Sequence, residues 1–325
     1  MTQFRPLPAA GLLLAASLTL PLAAQASCGS SFCVLNTSWD TQGVQSQPGQ
    51  ATLDLRYEYV RQDQLWRGSS HISADQDNTD ALEKRTINRN LITSLDYTFN
   101  DRWGMSVALP VVSRQHDHIA DPTGEATPES WNFSRSGDVR VLGRYRLNGD
   151  EQHAEHSAPY GLQFGIKLPT GDYKLANGAG SVAERALQPG TGSTDLIVGA
   201  YYTHRPTMSG PSWFAQGLLQ SAVATQDQYR PGDQASFSVG VSYPQTEAFS
   251  LLFQVNGLVK QRDTGANAEP TLSGGRYLFA SPGVSYGLTR DTQIYAFLQA
   301  PLYRHVNGIQ LTADWSVVSG ISLRF

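Results

Sequence analysis

The stretch IQLTADWSVVSGISLRF, residues 309–325, alternates in polarity down to the last side chain. Reading back from Phe325, the positions Leu323, Ile321, Ser319, Val317, Trp315, Ala313 and Leu311 share one face. Arg324, Ser322, Gly320, Ser316, Asp314, Thr312 and Gln310 lie on the other. A period of two is the signature of a β-strand. Strands of soluble proteins are usually about 5–6 residues long. A strand that crosses a bilayer needs about 9–11 residues, plus overhang.

The same alternation recurs upstream. Leu53, Leu55, Tyr57 and Tyr59 carry it, then Leu91 to Phe99, Trp103 to Val111, residues 138–147 and Tyr160 to Leu168. Weaker runs cover 193–205 and 212–224. Clearer ones follow at 235–243, 249–255, 276–287, 292–304 and 309–325. No segment shows a 3.6-residue helical period. The expected fold is all-β: a single antiparallel transmembrane β-barrel of about 12 strands over residues 51–325. Connections alternate between tight turns, such as Asn100-Asp101-Arg102 and Leu288-Thr289-Arg290-Asp291, and long polar stretches at 61–88, 113–136, 169–192 and 262–275. An even strand count with that alternation places both termini on the periplasmic side. The connections 148–158 and 304–308 fit the pattern poorly. Closure is the physical requirement, since in lipid every backbone N–H and C=O must be paired within the protein. Trp66, Tyr97, Trp103, Trp213, Tyr243 and Tyr303 are candidates for interfacial girdles.

Residues 1–26 read as a secretory signal. Arg5 precedes an apolar run, and Ala24-Gln25-Ala26 is a small-x-small cleavage site. Residues 27–50 form a strand-poor segment expected under the barrel or within it. The net charge of −4 gives no indication of a nucleic-acid partner. The mean hydropathy of −0.32 suits a barrel with a polar lumen and loops as well as it suits a soluble protein. The two cysteines, Cys28 and Cys33, form a disulfide candidate just past the cleavage site, with metal binding as the alternative.

The inward faces carry both signs of charge. The lumen-lining candidates are Asp54, Arg56, Glu58, Asp96, Asp138, Arg140, Arg144, Arg146, Lys167 and Asp195. Mixed charge favours salt-bridge ladders that brace the wall over a filter for one ion sign. His116-Asp117-His118 would place two imidazoles on one strand face near the mouth. With acidic neighbours that spacing could hold zinc or copper as a bound cofactor. Gly283-Val284-Ser285-Tyr286-Gly287 matches the nucleophile-elbow pattern but lacks the strand-turn-helix context, so no enzyme is expected.

Three stretches carry a resemblance: Gly137-Asp138-Val139-Arg140, Gly165-Ile166-Lys167-Leu168-Pro169-Thr170-Gly171, and Gln188-Pro189-Gly190-Thr191-Gly192-Ser193-Thr194-Asp195. Together they resemble the outer-membrane family named for the meta-pathway of phenol degradation. The resemblance implies an outer-membrane β-barrel that passes small, often aromatic or apolar, solutes. The terminal Phe325 is similar to the endings of bacterial outer-membrane barrels, which implies recognition by the barrel assembly machinery. The expected partners are thus that machinery, the lipid bilayer of a Gram-negative outer membrane and a small-molecule solute. The leading expectation is a channel or diffusion facilitator. The alternatives are a metal-linked outer-membrane protein using His116 and His118, an outer-membrane enzyme, and a structural or adhesive barrel.

Overall fold

The computed structural model describes Thr37 and residues 47–77, 81–120, 125–148, 158–207 and 210–325. The expected signal, Cys28, Cys33 and most of the connection 148–158 lie outside the described residues. The strands are β1 (Ala51–Gln62), β2 (Gln64–Gly68), β3 (Ser70–His71), β4 (Ala81–Thr98), β5 (Trp103–Ala120), β6 (Thr127–Ser136), β7 (Arg140–Arg146), β8 (Tyr160–Lys167), β9 (Ser193–His204), β10 (Ser212–Thr225), β11 (Gln234–Pro244), β12 (Phe249–Lys260), β13 (Gly275–Gly287), β14 (Thr292–Thr312) and β15 (Ser316–Arg324).

All are joined in one antiparallel sheet that closes on itself. β1 pairs with β4 on one side and β15 on the other, and β13 pairs with both β12 and β14. β6 and β7 both pair with β5, one above the other, and act as one wall position. β2 and β3 form a short hairpin beyond the wall. The result is a closed barrel of 12 strands. Among the described residues closure leaves the wall without a free edge, which satisfies the backbone in lipid. Ala51 and Phe325 exchange both backbone hydrogen bonds, at 2.8 and 2.9 Å, and so complete the seam.

Outward side chains form an apolar belt, with Leu109 50%, Val198 52% and Leu219 58% exposed. An apolar residue turned to solvent at this frequency, all round a closed sheet, marks a surface meant for lipid. Tyr97, Trp103, Trp213 and Tyr243 are exposed at the short-turn end, and Tyr303 toward the other. Trp66 departs from the girdle expectation. It is half-buried beneath the Arg304 guanidinium, 4.1 Å from its ring centroid, where the β2–β3 hairpin folds over the mouth.

Two stretches expected as loops are largely strand. β4, β5 and β6 run well past the belt into 81–90 and 111–136. Outward positions there are Ser113, Gln115 and Asp117, and inward ones Thr86, Asn88 and His116. Both faces are polar, so no hydrophobic alternation marks these extensions. The closing stretch 309–325 is also not one uninterrupted strand. β14 doubles back at Gly308, whose φ of +67° suits glycine. Up to Val306 it pairs with β13, and from Ile309 to Thr312 it pairs with β2. A break at 313–315 follows before β15. Leu311 and Ala313 consequently point into the interior, where they are buried.

Candidate functional site

The lumen is filled on one side and open on the other. Over β12 to β15, Leu252, Tyr295, Phe297 and Val318 form one interior cluster, and Val60, Leu258, Tyr277, Phe279 and Val306 lie in a second. Small residues make room for large ones. A Cβ on Gly283 would stand 2.3 Å from the Phe297 ring, and one on Gly320 would stand 2.4 Å from the Tyr295 hydroxyl. Beside these clusters runs a cavity of about 620 Å³, lined mainly by β1, β4, β5 and β7 to β12. Thr37 lies in it, accepting a 3.4 Å hydrogen bond from Arg56, so the chain before β1 reaches the lumen at this point.

Asp54, Arg56, Asp96, Asp138, Arg140, Arg144, Lys167 and Asp195 line the cavity. Glu58 and Arg146 are also buried on inward positions. Most of these charges are paired, within one strand or between strands. Arg56 meets Glu58 at 3.1 Å, Arg144 meets Asp96 at 2.7 Å, and Lys167 meets both Asp138 and Asp195 at 3.1 Å. Pairing lets ionised groups face a low-dielectric wall without an uncompensated charge.

The three stretches quoted for their resemblance converge on one node. The Asp138 carboxylate accepts from the backbone N–H of Gly171 (3.1 Å) and of Thr191 (2.9 Å), and from Lys167. Lys167 also donates to Ser193 Oγ (3.0 Å) and to the Thr191 hydroxyl. Gly171 and Gly190 touch backbone to backbone, and a Cβ on Gly190 would stand 2.3 Å from the Gly171 carbonyl oxygen. The Thr170 hydroxyl accepts the Val139 N–H where β8 has ended. Residues 168–192 are thereby pinned at both ends to the wall and directed inward.

Inside, that segment closes much of the long-loop end. Ala183 and Leu187 join Leu65, Ile72, Trp131, Ile309 and Leu311 in an apolar cluster across the mouth. Trp131 Nε1 donates to the Ser181 carbonyl at 2.9 Å, and Arg114 donates to that of Ala186 at 3.0 Å.

His116 and His118 both face the interior, above the apolar belt. Their ring nitrogens are 3.3 Å apart; His116 also bonds Thr86 Oγ1 at 2.8 Å, and His118 bonds Glu129 at 3.0 Å. Trp131 packs on both rings. Burial, with the neighbouring His118 and Arg114, holds His116 down to about 3, so it is neutral at ordinary pH. These contacts account for the pair as a support for Trp131. Among the described residues no group of three or more His, Cys, Asp or Glu is arranged to hold a metal ion. Ser285 sits inside β13 with ladder partners on both sides, not on an elbow.

Arg114, Trp131, Arg185, Tyr229 and Asp263 carry no signal in the alternation of the sequence, yet all bear on the mouth. They lie on extensions and loops without periodicity, where only an unusual density of aromatic and charged residues could have flagged them.

A family model described as putative MetA-pathway of phenol degradation matches residues 93–307. In fold the chain is similar to an outer-membrane channel of Pseudomonas putida F1, at 14% identity over 86% of this chain and 97% of that one, with a TM-score of 0.63. It is also similar to the NanC porin, at 15% identity, 83% and 98% coverage and a TM-score of 0.44. No curated relative matches the sequence.

Proposed function

The chain belongs to the family described as putative MetA-pathway of phenol degradation, and from that membership and the half-open lumen we propose a passive outer-membrane channel for small solutes, aromatic molecules among them. The observation that carries the reading is the cavity of about 620 Å³ running inside a closed, lipid-belted barrel. Its volume suits single small molecules, and its lining sets apolar side chains such as Phe214, Leu218 and Leu258 beside the charged ones, which suits solutes with both an apolar body and a polar group. The Pseudomonas putida F1 protein of similar fold is itself an outer-membrane channel, which supports the same reading. On this reading the long-loop end faces outward and both termini face the periplasm. Phe325, exposed at the seam, serves the barrel assembly machinery. The ten charged lumen residues act first as braces, and Arg140 and Arg144 on the open side meet the solute. Catalysis has no part in it.

Proteoliposome swelling tests this with neutral sugars, phenol and toluene as osmolytes and permeants. The expected result is permeation that falls steeply with solute size. Liposomes no more permeable than empty vesicles to any of these would overturn the channel.

A further inference from the structure

The side chain of Tyr229 is itself a phenol, and the long-loop end of the lumen holds it as one. The residue is 3% exposed. The Arg185 guanidinium lies over it, 4.5 Å from the centroid, while the same guanidinium lies 4.6 Å from the Tyr173 centroid. A guanidinium over a ring face is attractive through the ring quadrupole, more so when shielded from water. The Tyr229 hydroxyl donates to Asp263 Oδ2 at 2.9 Å. Asp263 is fixed from behind by Lys260 Nζ at 2.8 Å, by the Gly232 N–H at 2.8 Å, and by its own N–H donating to Ser273 Oγ at 2.9 Å. Burial and the Asp263 carboxylate push the Tyr229 hydroxyl well above its usual range, so it stays protonated and donates.

Two further facts make this an occupied pocket rather than plain packing. Arg185, Tyr229, Lys260 and Asp263 all border the open cavity, so moving the buried Tyr229 side chain aside would open the pocket to the lumen. The turn that delivers Tyr229 is strained: Asp227 and Gln228 have φ of +57° and +50°, a region that non-glycine residues rarely adopt. Asp227 is held there by Arg185 at 2.8 Å and Lys174 at 2.9 Å. Arg185 also donates to the Thr191 carbonyl at 2.7 Å, which ties the pocket to the inward segment 168–192.

We infer that Arg185, Asp263 and Lys260 form a binding site for a hydroxylated aromatic ring, that Tyr229 fills it when no solute is present, and that a phenolic solute displaces Tyr229. The guanidinium face takes the ring and the carboxylate takes the hydroxyl proton as an acceptor. A benzene ring without a hydroxyl leaves Asp263 Oδ2 without the hydroxyl donor that Tyr229 gives it, and is discriminated against. Displacing Tyr229 frees the strained turn and loosens the hold of Arg185 on the inward segment. This deepens the channel reading above by giving it a solute class and a place where the solute first binds.

Equilibrium dialysis of detergent-purified full-length protein against labelled phenol and labelled benzene tests the site without requiring conduction. Wild type, which must expel its own tyrosine, should bind phenol weakly. Tyr229→Ala empties the pocket and should bind phenol at least tenfold more tightly than wild type, with little gain for benzene. Adding Asp263→Asn to Tyr229→Ala should erase the preference for phenol. Tyr229→Phe keeps the ring and loses only the hydrogen bond, so it should raise phenol affinity several-fold, and it decides the matter if Tyr229→Ala does not fold. Equal binding of phenol by wild type and both variants, or equal gains for benzene, would overturn the site. Binding as expected with impermeable liposomes would leave the site standing and remove the channel; permeable liposomes without these differences would do the reverse.

Discussion

Lys167 shows what one buried cation does in this wall. Its ammonium serves two carboxylates and two hydroxyls at the point where β8 ends and the inward segment begins. Lys167→Met would leave Asp138 and Asp195 buried without their counter-ion, at a cost of about 3–5 kcal/mol. The temperature of the folded-to-unfolded mobility shift on gels should fall clearly, and Asp138→Asn should cost less because it keeps an acceptor for the Thr191 N–H. Glu269 gives a pH dependence. Burial, reinforced by Glu83 and Asp263, raises it from 4.5 to about 8. The unfolded chain releases this proton near 4.5 while the folded chain keeps it to about 8. Its contribution to stability is therefore full below 4.5, falls as pH rises through that window, and is flat above it. Glu269→Gln should remove that part of the decline, as read by the same mobility shift taken across pH.

The elements differ in how well the sequence foretells them. β9 and β10, weak in alternation, are present because their neighbours on both sides supply the ladder. The upper halves of β4 and β5 look like loop in the sequence because both their faces are polar, and no periodicity survives when neither face meets lipid or core. The break at 313–315 is hidden for the opposite reason: alternation continues through it, while the chain turns Leu311 and Ala313 inward. The inward course of 168–192 depends on contacts between residues far apart in sequence. Gly190→Ala tests it locally. Its Cβ would stand 2.3 Å from a backbone oxygen, so Gly171 and Gly190 must separate. Overpacking of this kind costs about 1–3 kcal/mol. Protease cleavage within 168–192 should become faster while the barrel itself stays resistant.

For the barrel as one body, the belt and the closed ladder govern stability together. An arginine placed outward at mid-belt should cost about 2–4 kcal/mol, since it must sit in hydrocarbon. Val198→Arg, at a position 52% exposed to the surroundings, should lower the mobility-shift temperature, whereas Gln115→Arg above the belt should leave it nearly unchanged. That the chain is a β-barrel of this size is legible in residue order alone, because a strand's two-residue period writes lipid on one side and water on the other. The charges that border the cavity fall on the positions opposite the apolar ones. How the lumen is divided is settled in three dimensions: the filled side over β12 to β15, the node at Asp138 and Lys167, and Tyr229 seated between Arg185 and Asp263. Those arrangements join residues on different strands and loops, and the free energy that selects them comes from packing and charge pairing across the barrel, which leaves no periodic trace along the chain.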